Sequence, residues 1–122
     1  MNRLMIVDDA LIMRLKIREI AVNAGWDVVA EAQNGEDAVR LFEEHHPDLV
    51  TLDMVMPGMD GLAALKAIRA KDPNATVVMV SAVNQKQKLK ECIESGAVDF
   101  VVKPFDPAHL QAFFERYRQG AA

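Results

Sequence analysis

Residues 48–61 read DLVTLDMVMPGMDG, an apolar run that ends on a carboxylate, Asp53, and then breaks at Pro57-Gly58. The run is too short for a helix and is rich in Val and Leu, so it predicts a buried strand over 48–53. A charge at its end needs compensation, because an ionised carboxylate in low dielectric costs several kcal/mol unless paired. The position is tolerable only where strand ends open onto solvent and other charges converge. That condition leads outward to the rest of the chain.

Four further Val/Ile/Leu-rich runs flank this one: 4–8 LMIVD, 27–31 DVVAE, 76–80 TVVMV and 98–102 VDFVV. Between them lie segments of helical period. Met13, Ile17, Ile20, Ala21 and Ala24 form one face of a first helix that stops at Gly25. Ala38, Leu41 and Phe42 mark a second helix, with Asn34 as its cap and Pro47 beyond its end. Leu62, Leu65 and Ile68 mark a third that ends before KDPN at 71–74. A fourth spans about Gln85 to Ser95 and closes at Gly96. The last opens on Asp106 as N-cap with Pro107 at its first position, and turns Leu110, Phe113, Phe114 and Tyr117 inward. Alternating strands and helices, (βα)5, predict an α/β doubly wound parallel sheet of flavodoxin-like order 2-1-3-4-5. Four runs are nearly continuous in apolar residues, as strands covered on both faces should be, and the more polar second run suits an edge.

The 122 residues suit one domain spanning 1–122, with 51% apolar and 26% charged residues as in an ordinary globular protein. A net charge of −4 and the lack of a basic tract argue against nucleic-acid binding. The apolar run at the N-terminus stops at Asp8, too early for a signal peptide or membrane span. A single cysteine, Cys92, forms no intrachain disulfide; it fits a cytoplasmic protein, and its helical spacing with Leu89 and Ile93 predicts a buried thiol. The start at Met1 and the end soon after the fifth helix favour a complete single-domain protein over a piece of a larger regulator.

Polar residues gather at the strand ends: Asp8-Asp9 after the first, Asp53 at the third, Ser81 after the fourth and Lys103 after the fifth. The second ends in Glu31-Ala-Gln-Asn, without a comparable group. In the order 2-1-3-4-5, strands 1, 3, 4 and 5 are consecutive, and ligands bind at their carboxyl ends. Each residue alone has an ordinary explanation: acids cap helices, lysines sit at turns and serines follow strands. Together, at four matched ends, they describe a site. Three converging acids repel one another, which a divalent cation relieves; carboxylates, a carbonyl and waters are the ligands of Mg2+. No Cys/His cluster supports zinc, and His45, His46 and His109 fall on predicted helices as solvated residues. Metal and Lys103 together could hold a phosphoryl group while a carboxylate attacks phosphorus, with Ser81 adding a hydroxyl donor.

On these motifs, LMIVDDALIMR, PDLVTLDMVMPGMDGL, VVMVSA and GAVDFVVKPF, the whole chain resembles the receiver domains of two-component response regulators, most closely single-domain chemotaxis regulators of the CheY type. The resemblance implies that Asp53 is the phosphoacceptor for a sensor histidine kinase. It implies Mg2+ bound by Asp9, Asp53 and the backbone carbonyl of Val55, with Asp8 acting largely through water. Ser81 and Lys103 would each engage a phosphoryl oxygen, and the Lys103–Pro104 peptide would be cis. Phosphorylation would draw in Ser81 and let Phe100, where chemotaxis regulators often carry tyrosine, turn inward. The output surface would be the fourth helix (with Lys86, Lys88 and Lys90), fifth strand and fifth helix, binding a downstream protein such as the flagellar motor switch or another effector. Val55 and Val83 stand where many members carry polar residues that tune phosphoryl lifetime, so slow self-dephosphorylation is expected. Phe113 replaces the basic residue by which winged-helix transcription regulators dimerise, and a monomer is expected. A Mg2+-dependent phosphohydrolase is the rival from the enzyme class; it needs an Asp two residues beyond the nucleophile, where this chain has Val55. The expectation is therefore a signalling phosphoacceptor and not an enzyme.

Overall fold

The computed structural model describes residues 2–82 and 86–118. Ten elements alternate along the chain: β1 Arg3–Val7, α1 Leu11–Asn23, β2 Asp27–Ala32, α2 Gly35–His45, β3 Leu49–Asp53, α3 Gly61–Lys71, β4 Val77–Ala82, α4 Lys86–Glu94, β5 Asp99–Lys103 and α5 Pro107–Tyr117. The strands form one parallel sheet in the order β2-β1-β3-β4-β5. The predicted fold class and strand order are those observed. Boundaries move by a residue or two: β4 extends to include Ser81 and Ala82, β5 includes Lys103, and α3 runs on to Lys71.

Side-chain alternation divides the core in two. Met5, Val7, Val50, Leu52, Val77 and Met79 face α2, α3 and α4, packing on Phe42, Leu65, Ile68 and Leu89. Leu4, Ile6, Leu49, Val78 and Val101 face α1 and α5, against Ile17, Trp26, Leu110, Phe113 and Phe114. The Trp26 indole N–H, which burial would leave unpaired, donates to the Phe114 carbonyl at 2.8 Å and ties the start of β2 to α5. Phe113 is part of this core, so the fifth-helix position compared above faces inward. Cys92 is buried beside Met54, and burial pushes its thiol up to about 11.

Caps form at Asn34 and Asp106, where the sequence places them, and also at Asp60. Asn34 accepts from the Asp37 N–H (2.8 Å), Asp60 from Ala63 (2.9 Å) and Asp106 from Ala108 (2.9 Å). His46 is not helical: it closes α2 at φ 45°, and its carbonyl and that of His45 accept from the Arg3 guanidinium. One packing expectation fails. β5 is nearly as apolar as the central strands, yet only Val101 of its five residues is buried. It is the second edge of the sheet, and periodicity alone cannot separate an edge strand from a central one. No helix among the described residues is long and apolar enough to cross a membrane.

Candidate functional site

The strand order brings the carboxyl ends of β1, β3, β4 and β5 side by side. β3 delivers Asp53 into register with Val80 of β4, and β5 places Lys103 opposite Ala82. By alternation, Asp53 and Lys103 lie on the α1/α5 side of the sheet, and so does Asp8, which follows β1. Ser81 alternates onto the other side, with Val77 and Met79, and its hydroxyl donates to the Ala82 carbonyl at 3.2 Å.

The turn after β3 depends on glycine. A Cβ at Gly61 would collide with the Asp53 carbonyl oxygen and come within 2.7 Å of the Met54 Cα. Without one, the Gly61 N–H donates to the Met54 carbonyl at 2.8 Å, and α3 starts directly behind the acid. Gly58, at φ 74°, makes the reversal between them.

At the rim, Asp8, Asp9 and Asp53 each offer one carboxylate oxygen, all within 4.8 Å of one another. Asp8 and Asp53 are buried and Asp9 is exposed. The Lys103 ammonium bridges the buried pair, 2.8 Å from Asp8 Oδ2 and 3.2 Å from Asp53 Oδ1. Burial pushes the Asp53 carboxyl above its ordinary pKa; the Asp8 charge adds to this, Lys103 works against it, and Asp9 adds a little more. For Lys103, burial disfavours the ammonium, but the Asp8 hydrogen bond and the two carboxylate charges outweigh it and hold its pKa above the usual lysine value. Three carboxylates thus face one ammonium, an excess of two negative charges. Hard oxygen donors with that deficit fit Mg2+ and do not fit a thiolate-seeking or imidazole-seeking metal.

The remaining predicted residues are not all gathered at this cluster. Val55, two residues beyond Asp53, is exposed. Phe100 lies away from the acids, 45% exposed, and with Lys86, Leu89, Lys90, Ile93 and Val102 it lines an open apolar groove of about 390 Å3 between α4 and β5. Val83 lies outside the described residues. The Lys103–Pro104 peptide is cis, as the resemblance implies.

The family model of the response regulator receiver domain matches residues 4–115. The chain belongs to that family. Chemotaxis protein CheY of Listeria monocytogenes serovar 1/2a is 52% identical to this receiver over 116 residues, which cover 95% of this chain and 98% of that protein. CheY of Bacillus subtilis is 51% identical over 104 residues, 85% and 87% of the two chains. In the crystal structure of the CheX-CheY-BeF3-Mg2+ complex from Borrelia burgdorferi, a chain 37% identical to this receiver matches it with a TM-score of 0.87, covering 96% of this chain and 90% of that one. The chain is thus a CheY-related receiver of the kind that serves two-component phosphorelay signalling.

Two residues near the site, Arg14 and Glu31, were not among the site candidates, although the first motif ends on Arg14. Arg14 of α1 donates from Nη1 to the Asp8 carbonyl at 2.7 Å, and from Nε to Glu31 Oε1 of β2 at 3.2 Å. The second strand, which offers no site chemistry in the sequence, is therefore joined to the site through an arginine. The available signal was positional: Arg14 falls one turn before Ile17, at the border of the buried helical face.

Proposed function

We propose that this receiver is a phosphorylation-controlled switch in which Asp53 accepts a phosphoryl group from a sensor histidine kinase and the α4–β5–α5 face passes the signal to a protein partner. The observation that carries the reading is the rim cluster, three acids and Lys103 on consecutive strand ends. In the transfer, an Asp53 oxygen forms a bond to phosphorus as the P–N bond of a phosphohistidine breaks. The departing imidazole nitrogen keeps the electron pair.

Asp8, Asp9 and Asp53, with the Val55 carbonyl, would hold Mg2+, which neutralises the acids and the phosphoryl oxygens so that like charges can approach. Lys103 then exchanges its carboxylate partners for a phosphoryl oxygen. Ser81 must leave the Ala82 carbonyl to donate to another. That movement would open space for Phe100 to turn in from the groove. Phe100 has no hydroxyl, so packing alone would favour its inward rotamer. The reading treats 1–122 as one receiver domain, monomeric and cytoplasmic, that binds no nucleic acid. Likeness to CheY proteins supports chemotaxis as the pathway, with the flagellar motor switch or another effector as the target.

The test is incubation with Mg2+ and acetyl phosphate, followed by intact mass. Wild type gains one phosphoryl group and Asp53→Asn gains none; an undiminished gain in the variant overturns the assignment. Val55 gives a second readout. An exposed apolar side chain two residues beyond the phosphoacceptor neither orients nor activates a hydrolytic water, so the phosphoryl group should be long-lived. Val55→Asn should shorten its half-life severalfold, and a half-life of seconds that polar residues at 55 and 83 leave unchanged would refute the tuning role.

A further inference from the structure

Arg14 is an arginine on α1 whose side chain is 12% exposed, and it satisfies two acceptors from different strands. Nη1 donates to the main-chain carbonyl of Asp8, in the peptide between the two acids at the end of β1. Nε donates to Glu31 near the end of β2, whose other oxygen accepts from Arg18 one helical turn later, at 2.5 Å. The same loop is held at three further points. The Asp8 N–H donates to the Ala32 carbonyl at 3.0 Å, the Ala10 N–H to Asp8 Oδ1 at 2.9 Å, and Lys103 to Asp8 Oδ2. Of these ties, only Arg14 grips the peptide that joins Asp8 to Asp9, and so fixes the direction in which both carboxylates leave the backbone.

We infer that Arg14, braced by Glu31, is the positioning residue of the cation site, orienting the Asp8–Asp9 peptide so that the acids present their oxygens together. The inference rests on the reading of the rim as a Mg2+ site. It assigns Arg14 no contact with the phosphoryl group. Its charge is countered locally by Glu31, so what it contributes is geometry. A planar fork held by two acceptors keeps a fixed direction that a single ammonium would not.

Charge and geometry predict opposite signs, which makes the inference testable. Removing a nearby positive charge by itself should tighten binding of a cation; loss of positioning should weaken it. Partners behind metal ligands are worth roughly 10- to 100-fold in metal affinity. Mg2+ binding to the full chain is measured by calorimetry for wild type, Arg14→Met, Arg14→Lys and Arg18→Met, with thermal unfolding in EDTA as the check on folding. Arg14→Met should bind Mg2+ about tenfold more weakly, at the low end of that range. Arg14→Lys, which keeps the charge and one donor, should recover part of the loss and serves alone should the methionine variant not fold. Arg18→Met removes the same charge from the same Glu31 without touching Asp8, and should bind as wild type does. Unchanged or tighter Mg2+ binding in Arg14→Met, wild-type binding in Arg14→Lys, or an equal loss in Arg18→Met overturns the inference. Failure of wild type itself to bind Mg2+ would instead overturn the reading of the rim.

Discussion

Strands β2 and β5 are the two edges of one sheet, and their ends are finished in contrasting ways. At the β2 edge, Glu31 takes both Arg14 and Arg18, Ala32 accepts from Asp8, and Trp26 is fastened to α5. At the β5 edge, Phe100 stands 45% exposed beside a groove, with Lys86 and Lys90 around it. Polar ties at one edge hold the acids still. The open groove at the other leaves an aromatic ring room to move and a surface for a partner to cover. A switch needs both: a rigid place for the chemistry, and a second element with more than one low-energy arrangement.

Lys103 is where the two meet, because its backbone ends β5 and its ammonium holds Asp8 and Asp53. Lys103→Ala has the largest effect expected at the rim. Removing one partner leaves two buried carboxylates uncompensated, which costs about 3 kcal/mol, measured by urea unfolding in EDTA. Mg2+ should restore part of that loss, since a cation supplies the missing countercharge. A cost below about 1 kcal/mol would mean that the rim is solvated like a surface and that the contrast between the edges is overstated.

A smaller effect tests how firmly α4 is held on the open side. Asp60 caps α3 through the Ala63 N–H and also receives Lys88 of α4 at 3.2 Å. The Ala63 hydrogen bond is the main cause of its pKa lying below the ordinary 3.8; burial opposes this and Lys88 assists. The carboxylate therefore stabilises the fold at pH above the unfolded value, and that contribution is lost as pH falls through the depressed folded value. Asp60→Ala should cost about 1 kcal/mol at neutral pH, the usual value of a cap, and its difference from wild type should fade below pH 3.8. A Lys88→Met variant should lose only a few tenths, since exposed pairs contribute little. A larger loss from Lys88 than from Asp60 would mean that α4 is clamped, against the picture of an open edge.

Much of this was legible in the sequence, for identifiable reasons. Central strands read as continuous apolar runs, and the helices announce themselves through Asn34 and Asp106 at two of their starts and Gly25 and Gly96 at two of their ends. Asp8, Asp9, Asp53 and Lys103 stood out because they interrupt or terminate apolar runs, and topology alone then brings them together. Arg14 and Glu31 did not stand out, because their meeting depends on how α1 rotates against the edge of β2, which no local pattern encodes. The exposure of β5 was hidden for a related reason: its run is as apolar as those of the central strands, although the predicted strand order puts it at an edge. Ser81 was placed at the right strand end, but its sidedness follows from register and alternation, which depend on where β4 truly begins.

The smallest expected effect is the one most specific to the open edge. Phe100→Tyr adds a hydroxyl to a ring already 45% exposed, so the new group stays hydrated and the fold should change by less than about 0.5 kcal/mol. Phe114→Ala, in the sealed core of the α1/α5 face, should cost about 3–5 kcal/mol. The informative readout for Phe100 lies in the acid-site response. If the ring turns inward when the rim is phosphorylated, a tyrosine there gains a buried hydroxyl that must find a partner, and its gain in stability on phosphorylation should differ from that of wild type. Equal gains for Phe and Tyr would place the ring in the same solvent in both states, and the groove would then be a docking surface that does not take part in the switch.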